Sequence, residues 1–488
     1  MTNPPPIPKR DRSDAEYAAL RNLFVRSDFT RDAICNRLQI GALHDIDPGS
    51  TFDFGPKHNA ADVLTSLFVE GRGVETEELD RLLGAEALPL FKALDLVTEE
   101  RPDFWAATVS LYPIEDIYTA SDRYNNVEAG TPFMAWDDLV YPCLFATTRR
   151  FIEALPRAEC GDVLDLCSGC GVGAILSSKA ERVWAADITE RSREFALFNA
   201  RLNDVTNLHT LTGDMFEPTE GRRFDRIIAH PPYQPVMRHD RIFNSGGIDG
   251  EELTRRIVED APKHLAPGAR LYCLCQITDR DQPLESRVRE WLGASSADCD
   301  VAFIQYKTFE IQRYTAIATL REGANEASWR AWMKQFGQLK VKDMNYGMLV
   351  VQRHERKRRG FTVRAIQGPE ARPADLEQLV DWETHATQPD FTEYVMALKP
   401  KTRTSVKMRV THNFAETGWN LKEYRLLNDA PWESELIIDQ TGAHALTLFD
   451  GQSTGRQCLN QLREVAGVGV PAFATLLQRL VSAGIVAI

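Results

Sequence analysis

The chain is 488 residues long, too long for one ordinary hydrophobic core, and its length argues for about three domains. Its 43% of hydrophobic residues is normal for a folded soluble protein, and no apolar run approaches the roughly 18 residues that cross a bilayer, which argues against a membrane protein. The formal charge of −13 is uneven, with 25 acidic and 15 basic side chains in residues 1–150, so the N-terminal third is a poor binder of phosphate.

Residues 1–13 are proline-rich and charged where a secretory leader would be apolar, so they are expected to form a disordered tail on a cytoplasmic protein. Nine cysteines, an odd number, fit reduced thiols better than a disulfide framework. Residues 14–125 read as a helical, winged-helix-like domain. Leu20, Leu23, Phe24, Ile34 and Leu38 recur at helical spacing, as do Val63, Leu64, Leu67 and Phe68. Thr76 can cap a helix that Gly84 closes, and a further helix over 86–94 precedes strand-like runs at 96–98 and 105–111. A nucleic-acid-reading helix would present Arg, Lys, Asn or Gln, whereas residues 86–95 offer two acids and Lys92, so a packing or substrate-recognition module is the favoured reading. Ser121-Asp122 and Asp137-Asp138, set among aromatics, either line the mouth of the next domain's site or belong to a packed linker.

In residues 126–325 strand and helix patterns alternate, which implies a parallel sheet covered by helices. The apolar run ending at Leu166 reads as a buried strand, and Gly169, Gly171 and Gly173 as a tight turn into a helix. Later strands end at Asp187, at Gly213-Asp214 and at His230-Pro231-Pro232-Tyr233, at the carboxyl edge where open α/β sheets bind ligands. Two cofactors fit the turn. Gly169-x-Gly171-x-x-Ala174 followed by Asp187 satisfies a dinucleotide fingerprint and keeps a nicotinamide-dependent oxidoreductase open. Asp165, placed to face an ammonium group, Asp214, placed to accept from an adenine amino group, and the Pro-Pro-aromatic segment point instead to S-adenosylmethionine.

On these residues the chain resembles the class I methyltransferases, and more narrowly those with an Asn-Pro-Pro-Tyr motif, which include glutamine-amide and nucleobase-amine methyltransferases. The matching segments are Asp165-Leu-Cys-Ser-Gly-Cys-Gly-Val-Gly173, Asp187, Gly213-Asp214 and Pro231-Pro232-Tyr233, with Gly246-Gly-Ile-Asp-Gly250 matching the glutamine-methylating branch. The resemblance implies a Rossmann-like seven-stranded α/β methyltransferase sheet, here flanked by helical, winged-helix-like N- and C-terminal domains. Its antiparallel last strand has candidates at 301–306 and 314–320. It also implies that Asp165, Cys167, Gly169, Gly171, Asp187 and Asp214 hold S-adenosylmethionine, with Asp187 on the ribose hydroxyls, and that the catalytic residues are His230, Pro231, Pro232 and Tyr233.

One residue departs from the pattern. Where the resembling enzymes have Asn or Asp, whose oxygen joins a proline carbonyl in accepting both protons of the target amine, this chain has His230. A neutral imidazole offers one acceptor nitrogen, and with an ordinary pKa of about 6.5 it is also a base, so an amide or aryl-amine acceptor loses weight and an oxygen or small-molecule amine acceptor gains some. Nitrogen methylation of a protein, nucleic acid or small molecule is the leading expectation. An O-methyltransferase using His230 as base and a non-catalytic binding scaffold stand as alternatives. Cys167-x-x-Cys170 lies inside the cofactor turn, with no second ligand pair at metal-site spacing, so no metal is expected.

Residues 326–450 read as an α+β extension with a basic hairpin, the stretch 353–359 that opens on Arg353 and closes on Arg359, between strand-like runs at 345–352 and 361–365. Nucleic-acid contact through it is possible but not favoured over a solvated tip, because no aromatics are interleaved. Residues 451–488 read as a second winged-helix-like module of two helices and a terminal strand.

Overall fold

The computed structural model describes residues 6–46, 55–124, 136–236, 245–321, 325–416 and 418–488. The chain divides into two compact units, Met1–Cys275 and Gln276–Ile488. Among the described residues no single helix is long and apolar enough to cross a membrane.

The first unit opens with α1 (Asp14–Arg26), α2 (Arg31–Leu38) and α3 (Ala60–Phe68), whose starts are set by the caps Ser13, Thr30 and Asn59. Ser13 and Glu16 form a capping box. After β1 (Val74–Glu75) come α4 (Thr76–Leu83) and α5 (Ala87–Ala93). Thr76 is the first residue of α4 rather than its cap, and its hydroxyl accepts the Trp105 indole N–H at 2.9 Å. The strands β2 (Val97–Arg101) and β3 (Phe104–Ala107) join β1 in a sheet ordered β1-β3-β2. A separate hairpin pairs β4 (Val109–Ile114) with β5 (Ile117–Asp122).

After α6 (Ala146–Ala154), β6 (Asp162–Leu166), α7 (Val172–Leu176), β7 (Arg182–Asp187), α8 (Glu190–Leu202), β8 (Leu208–Thr212), β9 (Phe224–Ala229), α9 (Glu252–His264) and β10 (Leu265–Asp279) alternate, as expected for a Rossmann-like sheet. The strands run parallel in the order β8-β7-β6-β9-β10. The central strands β6 and β9 are covered on both faces and so lack polar alternation: Val163, Leu164, Ile227 and Ile228 are fully buried. The strand order reverses between β6 and β9, which opens a crevice at their carboxyl ends.

In the second unit, after α10 (Leu284–Trp291), β11 (Cys299–Glu310) lies between β12 (Asp343–Arg353), antiparallel to it, and β13 (Thr362–Gln367), parallel to it. Two sequence expectations fail here. Residues 314–320 are not a strand: they lie in α11 (Ile311–Arg321), which α12 (Glu326–Gln338) follows. Thr315 and Thr319, four apart, are its buried positions, and the Thr315 hydroxyl donates to the Ile311 carbonyl, so a β-branched run is held as helix by its buried face. Nor is 353–359 a hairpin tip, because β12 and β13 flank β11 and the segment crosses it. Its Arg358 and His354 converge on the buried Asp300, with 3.0 Å from His354 Nε2 to Oδ1. That leaves fewer of its cations free for phosphate.

Next come α13 (Pro373–Ala386), α14 (Phe391–Ala397) and β14 (Lys401–Thr402). The meander β15 (Lys407–Ala415), β16 (Gly418–Asn428) and β17 (Trp432–Ile438) joins β13 through β17. Finally α15 (Gln440–Leu448), α16 (Gly455–Ala466) and α17 (Val470–Ser482) pack around Phe473, Leu477 and Leu480, and β18 (Val486–Ala487) pairs with β14.

Candidate active site

The turn after β6 is built from left-handed backbone: Cys167, Gly169 and Gly171 have φ of 58°, 52° and 79°. The two glycines are required for different reasons. A Cβ on Gly171 would lie 2.8 Å from the Ala196 Cβ, so Gly171 lets α7 close on α8. A Cβ on Gly169 would meet nothing within 4 Å, so there the open space belongs to the crevice. The turn is held from behind by Asn199, whose Nδ2 donates to the Cys170 carbonyl at 2.9 Å. The same amide exchanges two hydrogen bonds with the Ala120 backbone, and Asn203, one turn on, does the same with Tyr118. Two asparagines on α8 thus pair with β5 much as a neighbouring strand would.

Three carboxylates surround the turn. Asp187 accepts from the Gly169 N–H at 2.9 Å and the Thr189 N–H at 3.2 Å, one on each oxygen, with the Ser192 side chain and the Ile188 backbone adding to them, so the carboxylate is held in place beside the turn. Desolvation raises its pKa against these hydrogen bonds. Asp165, only 2% exposed, accepts from the Ala174 N–H at 2.8 Å. Burial first, with the charge of Asp187 adding to it, pushes its pKa up to about 7. Asp214 stands at the rim, 2.6 Å from an Arg256 guanidinium nitrogen on α9.

Past β9, His230 stacks on Phe151 of α6, with ring centroids 5.2 Å apart and planes at 25°, and lies 5.7 Å from the Tyr233 ring. Desolvation lowers its pKa to about 4, so the imidazole is neutral at physiological pH. The Gly246–Gly250 stretch supports this segment. A Cβ on Gly246 would lie 2.7 Å from the Tyr233 backbone, and its N–H donates to the Gln234 carbonyl at 2.8 Å.

These groups enclose a cavity of about 630 Å³, within the range of small-molecule sites. Asp165, Cys167, Gly169, Asp187, Asp214, His230, Pro231, Pro232 and Tyr233 all line it, whereas Gly171 faces α8. Asp137, Asp138 and Tyr141 also line it. Asp122 does not: it is fully buried and holds Arg191 through Nε at 2.7 Å. Residues 132–135, part of the same aromatic stretch, lie outside the described residues.

Sequence reasoning missed Phe151, Asn199, Glu252 and Arg256. Glu252 and Arg256 are spaced as a helix-surface ion pair, yet Arg256 turns to Asp214. All nine cysteines are free thiols; Cys143 and Cys170 approach to 3.0 Å between sulfurs.

Residues 144–301 match the family model described as the methyltransferase small domain. Among curated relatives, a ribosomal protein uL3 glutamine methyltransferase from Bradyrhizobium diazoefficiens is 38% identical over 127 residues, covering 23% of this chain and 39% of that protein. A release factor glutamine methyltransferase from Thermodesulfovibrio yellowstonii is 33% identical over 117 residues, covering 21% of this chain and 42% of that protein. The chain therefore spans about two-fifths of the length of these relatives. A solved methyltransferase structure from Pyrococcus furiosus aligns with 18% identity and a TM-score of 0.28, over 43% of this chain and 84% of that one.

Proposed function

We propose that the chain transfers the methyl group of S-adenosylmethionine to a nitrogen of a protein, with a glutamine side-chain amide as the acceptor. The observation that carries this reading is the neutral His230 at the end of β9, in one cavity with Gly169 and the two-acceptor carboxylate of Asp187. The residues present fit the cofactor: open space at Gly169 admits its methionine part, Asp187 takes the ribose hydroxyls, and Asp165 offers a carboxylate to the ammonium group. The cofactor supplies a methyl group already activated on a sulfonium, so the protein's task is mostly alignment.

His230, uncharged down to about pH 4, holds one proton of the target amide as a hydrogen-bond acceptor. A backbone carbonyl of the Pro231-Pro232 step takes the other, which aims the nitrogen lone pair. Because its pKa lies so low, His230 is a poor base for an alcohol, which disfavours oxygen methylation. The curated relatives named for glutamine methylation support the amide acceptor.

The test is to incubate cell extract with cofactor radiolabelled on the methyl group. Label made soluble by protease, resistant to nuclease and recovered as methylamine after acid hydrolysis is the expected result; label released by nuclease sinks the reading. In parallel, calorimetric titration with S-adenosylmethionine and with NAD separates this reading from the oxidoreductase, since tight binding of NAD alone would exclude methyl transfer.

A further inference from the structure

The second unit carries a ribbon that the cavity chemistry does not use. β15 and β16 pair from Lys407↔Leu427 to Ala415↔Gly418, and one face of the ribbon is apolar. At its base that face joins the core, with Leu426 buried and Tyr424 packed beside it. Further out the cover stops: Met408, Val410 and Leu421 are exposed, and Phe414 and Trp419, edge to face across the tip, are each 71% exposed. β15 is also the edge of its sheet, with no strand on its outer side among the described residues. A nine-residue edge with unpaired backbone groups and an apolar face is a template for another strand.

The sequence of β15 indicates which strand. The irregularity after Thr411 places its extra residue, Lys422, on β16, so β15 alternates without a break. In an antiparallel pair of two β15 strands centred on Thr411, Met408 faces Phe414 of the second copy and Val410 faces its His412, all on the apolar side. On the polar side Lys407 faces Ala415 and Arg409 faces Asn413, so no cation meets a cation. Thr411 is the midpoint of the strand, and only this register pairs all nine residues. A register centred between two residues would set apolar side chains against polar ones.

We propose that the chain forms a two-fold dimer by pairing β15 edge to edge with β15 of a second copy about Thr411. The pairing supplies partners for the open backbone edge and places the exposed apolar side chains of the two ribbons on one continuous face. Sedimentation velocity on the full chain across the micromolar range reads it, with a dimer expected to grow with concentration. Thr411→Arg sets two guanidinium groups opposite each other on the polar side, next to Glu423, which suits the single chain; it is expected to abolish the dimer with cofactor affinity unchanged. Thr411→Cys is expected to give, on oxidation, a covalent dimer absent from the parent chain and from Asn413→Cys, whose counterpart is Arg409. The proposal is overturned by a chain that stays monomeric at every concentration, which would leave the face to another protein or a lipid surface. A dimer indifferent to Thr411→Arg, or a Thr411→Cys chain cross-linking no better than Asn413→Cys, overturns it equally.

Discussion

Asp187 accepts a backbone N–H on each carboxylate oxygen, so its orientation is fixed before any ligand arrives. Asp187→Ala is expected to weaken S-adenosylmethionine binding by about 1.5–3 kcal/mol, the range for hydrogen bonds to a charged group, and calorimetry measures it. Unchanged affinity would remove the ribose assignment. Asp165 behaves differently, because burial keeps part of it protonated near neutrality. A cation bound beside it favours the carboxylate and expels that proton. Cofactor affinity should therefore rise with pH between about 6 and about 8, with proton release visible as a dependence of the binding heat on buffer. For the ligand-free fold the sign is opposite. The folded pKa of about 7 exceeds the ordinary 3.8, so this group's contribution to stability declines as pH rises from about 3.8 to about 7 and is level above that. His230 should leave no mark on the rate profile near pH 6.5, and His230→Asn should retain or raise activity; an acidic limb at 6.5 that vanishes in the variant would make His230 a base.

Elements are joined at this site by contacts that no local pattern announces. Arg191 of α8 and Asp122 of β5 form a buried pair, and the Val140 N–H donates a further hydrogen bond to the same carboxylate at 2.8 Å. Arg191→Ala leaves that carboxylate buried without its cation and is expected to cost about 3–5 kcal/mol in chemical denaturation. Near wild-type stability would show that solvent reaches Asp122. The contrast explains what could be read in advance. The β6 turn, Asp187 and the His230-Pro-Pro-Tyr segment were legible because each lies at a strand end whose signal is a few residues long. Asp122 could not be assigned between the site's mouth and a packed segment because its partner is 69 positions away. Residues 314–320 read as a strand because the resemblance calls for an antiparallel last strand, whereas their buried Thr315 and Thr319, four apart, share one face of α11. The segment 353–359 looked like a tip because neighbouring strands usually pair, whereas here β11 intervenes.

Across the whole molecule, charge and chemistry are separated. The cavity and its carboxylates belong to the first unit, while residues 399–425 of the second carry seven basic and two acidic side chains in a chain of net charge −13. Sequence pattern also divides the first unit near residue 125, and the family match begins only at residue 144. Asn199 argues against treating that division as a place to cut. Its amide is fully buried and takes two of its three hydrogen bonds from Ala120. A fragment starting at residue 126 would strand that amide at the back of the cofactor turn, at about 1–3 kcal/mol for each unsatisfied group. Such a fragment is expected to lose S-adenosylmethionine binding, and titration of the purified piece checks it. The upstream hairpin is then a brace of the glycine turn, and the boundary that sequence pattern draws is not a boundary of mechanical independence.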